Sequence, residues 1–278
     1  MQSRERLKQS ETMSDLYIIK LGGSAITEKE GNKFEAREKT LERIASEIKK
    51  ASAEKGFSLL IVHGVGPFGH TNVKEYDINN GINTERQKEG LEKTKKDCAF
   101  LNKIVVEKLK EAGIHAVSFN PGELILQENK KIVEFDINGI EKALGERKVP
   151  VLFGQMVPDK KLVASVCSGD ASLAFLAKKL KPKKVFLGTD VAGVFTADPK
   201  ENSEAERIPL IDKKNFEEII KKVGEAKTVD VTQGMKGKLL KLREQLKGTE
   251  SFIFDANQEG NFYRALAGKK IEGTEIRL

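Results

Sequence analysis

From Gly64 the chain reads Gly-Val-Gly-Pro-Phe-Gly-His, placing Gly64, Gly66 and Gly69 just before His70. Glycine allows close backbone approach and left-handed φ values, and the bare N–H groups of such a loop can cradle phosphate oxygens. The preceding apolar run, residues 57–62, reads as a buried strand, so the glycines open where a strand leaves its sheet. Two phosphate motifs are nearly met: the spacing of the three glycines fits the dinucleotide fingerprint, and His70 stands where a P-loop needs lysine. Both motifs need a helix from the last glycine, yet residues 70–81 lack a clean helical apolar stripe and end in turn residues. The dinucleotide motif also wants an acid at the end of a second strand, where this chain has a charged helical pattern. An imidazole is only partly charged at neutral pH and makes a poor substitute for the P-loop ammonium. Two readings remain: a phosphate-binding loop in which His70 donates to a substrate oxygen, or a glycine-rich turn without a ligand.

Other loops carry compatible chemistry. Gly22, Gly23 and Ser24 follow an apolar strand, Ser168, Gly169 and Asp170 open a helical pattern, residues 189–193 follow another strand, and Gly234 to Lys238 begin a further helix. Backbone donors, several cations and a means of aligning nucleophile with leaving group are what phosphoryl transfer requires. Lys20, near the end of the first strand, is costly to bury unless an anion compensates it; it could also be an outward-facing edge lysine. Lys238 in a first helical turn opposes the macrodipole, so it either meets a phosphate or is one more surface lysine. Asp170 could cap its helix or position the two lysines, and Asp190 could be a turn residue or touch a nucleotide.

The elements that must hold these loops alternate along the chain. Strands are expected at 16–21, 57–62, 114–119, 149–153, 163–167, 184–188, 251–255 and 274–278. Helical spacing runs through 35–55, 91–112, 168–180, 232–247 and 261–266. This order predicts an α/β fold, a three-layer αβα sandwich with a mainly parallel central sheet, whose ligands lie beyond the carboxyl ends of the strands. Residues 15–278 form one domain in this reading, and residues 1–14 a polar, disordered tail.

Composition narrows the partners. The 278 residues carry a net charge of +7, but 49 basic and 42 acidic residues intermingle in mixed-sign helices, with only 14 Phe and 3 Tyr for base stacking. That pattern suits a solvated surface attracting a small anion better than a nucleic-acid platform. Cys98 and Cys167 are isolated among apolar neighbours, so they read as core thiols, and no metal-ligand set is expected. No apolar run reaches membrane length and the first residues lack a signal-peptide core, so a cytoplasmic protein without a membrane partner is expected.

Taken in order, Lys20-Leu-Gly-Gly-Ser24, the Gly64 to His70 loop, Ser168-Gly-Asp170, Thr189-Asp-Val-Ala-Gly-Val194 and Asp230-Val-Thr-Gln-Gly-Met-Lys-Gly-Lys238 resemble the amino acid kinase superfamily. Within it, His70 and the terminal Glu272-Gly-Thr-Glu are most similar to the isopentenyl phosphate kinase family. The resemblance covers residues 16–278 and implies an ATP-dependent kinase that converts isopentenyl phosphate to its diphosphate in an alternative mevalonate route. It further implies a homodimer, Mg2+ carried mainly by the nucleotide phosphates, an acceptor half at about 15–160 and an ATP half at about 161–278. Carried over, Lys20 and Lys238 neutralise the transferred group, Lys29 assists them, Asp170 orients the lysines, and His70 binds the acceptor phosphate. Gly22, Gly23, Ser24, Gly66, Thr189, Asp190, Gly193, Val194 and Gly234 join the lysines at ATP, while Gly64, Val65, Gly69 and Gly154 surround the acceptor.

Four positions depart from the family pattern: Gln155 for Asp, Pro67 for a small residue, Ala192 for Asp and Gln233 for Gly. Loss of the carboxylate at 155 lowers repulsion toward a phosphate acceptor and loosens the acceptor's identity. The alternatives are a related phosphate or phosphonate kinase of the fosfomycin-kinase kind, and a non-catalytic nucleotide-binding regulator. A hydrocarbon tail would need an apolar wall, for which Phe100 and Ile104 on the 91–112 helix are the candidates.

Overall fold

The computed structural model describes residues 14–30, 33–197, 199, 202–225, 239, 240, 243, 244 and 246–278. First come β1 (Leu16–Leu21), a hairpin of β2 (Thr27–Glu30) and β3 (Lys33–Ala36), α1 (Glu38–Glu54), β4 (Ser58–His63), α2 (Pro67–Glu75) and α3 (Glu85–Glu111). Next are β5 (Ala116–Ser118), β6 (Ile125–Glu128), β7 (Lys131–Phe135), α4 (Asn138–Gly145), β8 (Val149–Phe153), β9 (Gln155–Asp159) and β10 (Val163–Cys167). The remainder is α5 (Gly169–Leu180), β11 (Lys184–Thr189), β12 (Val194–Phe195), β13 (Arg207–Ile208), β14 (Leu210–Asp212), α6 (Phe216–Glu225), β15 (Ser251–Asp255), α7 (Asn261–Ala267) and β16 (Thr274–Arg277).

Among the described residues the central sheet has eight strands in the order β14-β16-β15-β11-β1-β4-β8-β5. The six from β15 to β5 are mutually parallel, and β16 pairs antiparallel with β15. Strands buried on both faces read as continuous apolar runs, which is why these segments are conspicuous in the sequence. Alternation then sorts their side chains. Tyr17, Ile19, Leu21 and Ile61 join the core under α1, α3 and α7, while Ile18, Leu60 and Val62 join the core under α4, α5 and α6. Helices therefore cover both faces, giving the expected three-layer sandwich.

Three local expectations are corrected. A helix does follow the glycine loop: Pro67 presets its first turn, Phe68 is buried, and Asn72 donates to the Phe68 carbonyl at 3.3 Å and to Asp97 at 2.8 Å. A nine-residue helix needs too few apolar positions to show a stripe. The long helix α3 starts at Glu85, because Thr84 and Gln87 form a reciprocal capping box ahead of its charged first turns. Residues 33–36 are a strand, so α1 begins at Glu38.

A second sheet, β10-β9-β6-β7, was not foreseen. Its turn at Asn129 and Lys130 has φ of 49° and 66°. This is a two-residue hairpin lacking the usual glycine signal. Asp159 holds it in place. Buried at 4% exposure, its carboxylate accepts from the N–H groups of Asn129 (3.0 Å), Lys130 (2.8 Å), Lys161 (2.9 Å) and Leu162 (3.1 Å), and from Ser165 Oγ (2.7 Å). Burial pushes its acidity toward higher pH, but these donors outweigh burial and hold it well below the usual carboxylate range.

Candidate functional site

Alternation along β1 determines what Lys20 can meet. It lies on the face of Ile18, the face covered by α5, and its Nζ pairs with the Asp170 carboxylate in the first turn of that helix. Asp170 is spared from capping because Ser168 is the N-cap, its Oγ accepting from Ala171 N at 3.2 Å. β1 runs between β4 and β11, so Lys20 is on a central strand and the edge-lysine reading falls. Its side chain is 20% exposed and that of Asp170 is 50% exposed, which leaves the pair facing a cleft.

That cleft, about 970 Å³, lies at the carboxyl ends of β1, β4, β8 and β10. Lys20, Gly23, Ser24, Gly64, Val65, Gly66, Gly69, His70, Gly154, Asp170 and Asp190 all line it. Gly22, Thr189, Gly193 and Val194 do not: Gly22 N donates to Gly188 O at 2.9 Å, and Val194 N donates to Thr274 Oγ1 at 2.7 Å. Gly234 and Lys238 lie outside the described residues, as does Gln233, and of Lys29 only the backbone, in β2, is described.

The two glycine loops touch each other. A Cβ on Gly23 would stand 2.6 Å from Gly66 N, and one on Gly64 would stand 2.6 Å from Gly23 N. Gly66 has φ of 49° and caps α2, where an added Cβ would meet Thr27 Oγ1 at 2.3 Å. The glycines thus bring two strand ends into backbone contact, opening a wall of small residues between Lys20 and His70.

His63 supports this wall from behind and escaped notice in the sequence beside the more conspicuous His70. Its strand position points it to the α3 face, where it is fully buried and stacks on Phe153. Its Nδ1 lies 2.9 Å from the Gly64 carbonyl oxygen and its Nε2 3.1 Å from Asn102 Oδ1, while Asn102 Nδ2 donates to Ser118 Oγ at 2.7 Å. Burial pushes this imidazole below its ordinary value, against the pull of its two hydrogen bonds. A histidine ending a buried strand, facing a helix that carries an Asn, was the available signal.

Part of the cleft lining is apolar. Val73 stands one helical turn after His70 on α2, Thr94 and Cys98 are one turn apart on α3, and Met156 and Val166 are cross-strand partners in β9 and β10. The 91–112 helix lines the cleft through Thr94 and Cys98, not through Phe100 and Ile104. Phe100 lies about 200° around α3 from Cys98 and is 57% exposed, and Ile104 packs against the core. Burial lifts the Cys98 thiol to about 12 and the Cys167 thiol to about 11, so both are inert core groups. Gln155 also lines the cleft, buried, its Nε2 donating to Lys95 O at 3.2 Å and its Oε1 accepting from Met156 N at 2.9 Å.

Residues 15–255 match the model of the amino acid kinase family. The chain is 40% identical to isopentenyl phosphate kinase of Methanothermobacter thermautotrophicus, over 94% of this chain and 98% of that protein. It is 35% identical to the isopentenyl phosphate kinase of Methanocaldococcus jannaschii with the same coverage. A crystal structure of an isopentenyl phosphate kinase superposes with a TM-score of 0.81 at 38% identity, covering 94% of this chain and 99% of that one. Among the described residues no helix is long and apolar enough to cross a membrane.

Proposed function

The chain belongs to the amino acid kinase family, and on that premise we propose that it is an ATP-dependent kinase converting isopentenyl phosphate to isopentenyl diphosphate. The observation that carries the reading is the meeting, in one cleft, of the Lys20–Asp170 pair, two touching glycine loops, His70 and an apolar group of Val73, Met156 and Val166. A phosphate followed by a short hydrocarbon tail matches that combination of charged and apolar surface.

In this reaction an oxygen of the acceptor phosphate bonds to the γ-phosphorus of ATP as the bond to the β-γ bridging oxygen breaks, releasing ADP. Charge spreads over the transferring oxygens, so the work falls on cations and fixed N–H donors. Lys20, held in place by Asp170, meets that charge, with Lys238 and Lys29 as the further cations. The N–H groups around Gly23 and Gly66 line the passage, His70 donates to the acceptor phosphate, and Val73, Cys98, Met156 and Val166 receive the tail. Asp190 is assigned to the nucleotide side, with Thr189 and Gly193 in the chain that follows β11 supporting it; Gly234 joins them by the sequence resemblance. The acceptor half is residues 15–160 and the nucleotide half 161–278. Mg2+ would be carried mainly by the nucleotide phosphates, as the sequence resemblance implies. When bound, it screens the phosphate charge. The enzyme is placed in the cytoplasm as a homodimer.

A coupled ADP-release assay with isopentenyl phosphate, dimethylallyl phosphate and fosfomycin tests the reading. Preference for isopentenyl phosphate supports it. Preference for fosfomycin, or no transfer to any of the three, overturns it.

A further inference from the structure

Arg37 joins β3 to α1, and it has no role in the chemistry described so far. Its backbone N donates to Ile26 O at 2.8 Å, which fixes the base of the β2–β3 hairpin. Arg37 lines the cleft alongside Thr27, Glu28, Gly66 and Pro67. β2 packs against α2, the helix that starts at Pro67 and carries His70 and Val73. The hairpin thus closes the acceptor side of the cleft, with Arg37 at its root.

The state of the Arg37 guanidinium calls for an anion. Its Nε is buried yet has no hydrogen-bond partner among the described residues. The Glu28 carboxylate stands 3.5 Å away, near enough for an ion pair but without hydrogen-bond geometry, and Glu28 is itself exposed and lines the cleft. Buried polar nitrogens are nearly always satisfied, so the loose contact of Nε with Glu28 leaves the guanidinium charge poorly compensated, on a side chain 37% exposed at the cleft. A guanidinium presents a planar fork that matches two oxygens of one phosphate, whereas a lysine offers only a point charge.

Resting on the kinase reading above, we propose that Arg37 is a substrate-binding residue of the acceptor site, its guanidinium gripping oxygens of the acceptor's phosphate from the hairpin side while His70 donates from α2. Glu28 then acts as a competing carboxylate, pairing with Arg37 until a phosphate replaces it. A dianion gains more from the fork than a single carboxylate at 3.5 Å does.

Calorimetric titration of the full-length protein with isopentenyl phosphate, without nucleotide, tests the assignment. Arg37→Gln should weaken binding by about tenfold to a hundredfold, the usual worth of a charge-assisted bond. Arg37→Lys should fall between that variant and wild type, and Glu28→Gln should bind a few-fold tighter than wild type. Affinity for a non-hydrolysable ATP analogue should be unchanged in all three. A purely structural ion pair gives another pattern: unchanged isopentenyl phosphate affinity in Arg37→Gln, with lower thermal unfolding temperatures in both Arg37→Gln and Glu28→Gln. That pattern overturns the proposal. If the wild type fails to bind isopentenyl phosphate, the activity proposed above has failed, and inorganic phosphate then decides Arg37 by itself. Weaker phosphate binding in Arg37→Gln upholds the anion site, and equal binding overturns it.

Discussion

Asp159 closes β9 and Asp170 follows β10, two carboxylates separated by one strand, yet their surroundings are opposite. Asp159 is buried and receives four backbone N–H groups and the Ser165 hydroxyl, so its charge is spent on holding two turns of the second sheet. Asp170 is half exposed at a cleft, and the partner it meets there is Lys20. A charge satisfied on every side by its own chain is architecture. A charge left with spare valence at a strand end, beside a cation, can turn that cation toward a ligand. The difference lies in the number and kind of donors around each carboxylate.

The comparison breaks most readily through the cation. Lys20→Ala should lower kcat by about 10³-fold, because charge stabilisers act on the transition state in a site shielded from water. Its thermal unfolding should stay close to wild type, read by calorimetry alongside steady-state kinetics. A large loss of stability instead would move Lys20 to the architectural side. Next in size, His70→Ala should cut acceptor turnover by about 10² to 10³, with ATP affinity little changed. Near-normal turnover of isopentenyl phosphate would remove His70 from the acceptor site.

Asp159→Asn should show the reverse pattern. Removing a buried, fully bonded charge costs about 2 to 4 kcal/mol of stability, measured by denaturant unfolding, while kcat of the remaining folded protein holds.

His63 sharpens the contrast through pH. Burial sets its folded value below the ordinary 6.5. The unfolded chain therefore takes up a proton first, and the stability His63 contributes is present above 6.5 and lost as pH falls below it. Denaturation midpoints should decline over that range in the wild type, and His63→Gln should lack that part of the decline. The smallest effect belongs to the tail. Val73→Ala should improve longer prenyl phosphates relative to isopentenyl phosphate by a few-fold, since a buried methylene is worth about 0.8 kcal/mol. An unchanged ratio in a competition assay would place the tail elsewhere.

These residues differ in how visibly the sequence marks them. Strands at the sheet centre announce themselves as apolar runs, and the glycines at their ends follow from the backbone contact between Gly23 and Gly64. Lys20 could be singled out because a lysine in an apolar strand demands an anion, and Asp170 was already a candidate to position it; the α5 face that β1 presents brings the two together. The second sheet left weaker marks. β7 is largely exposed, its turn is Asn129-Lys130 rather than Asn-Gly, and the carboxylate holding that turn comes from a distant strand. Phe100 misled for a similar reason. An aromatic on the right helix suggests a pocket wall, but one side of α3 faces the cleft and Phe100 lies opposite. Arg37 gave no signal at all, since its interest lies in a buried nitrogen without a hydrogen-bond partner among the described residues.

Transfer itself is the most direct measurement. ATP labelled in its γ-phosphate and incubated with isopentenyl phosphate and this protein should deliver the label into isopentenyl diphosphate, one label for each ADP formed. Label recovered only as inorganic phosphate, or retained in ATP while isopentenyl phosphate is unchanged, would contradict the account.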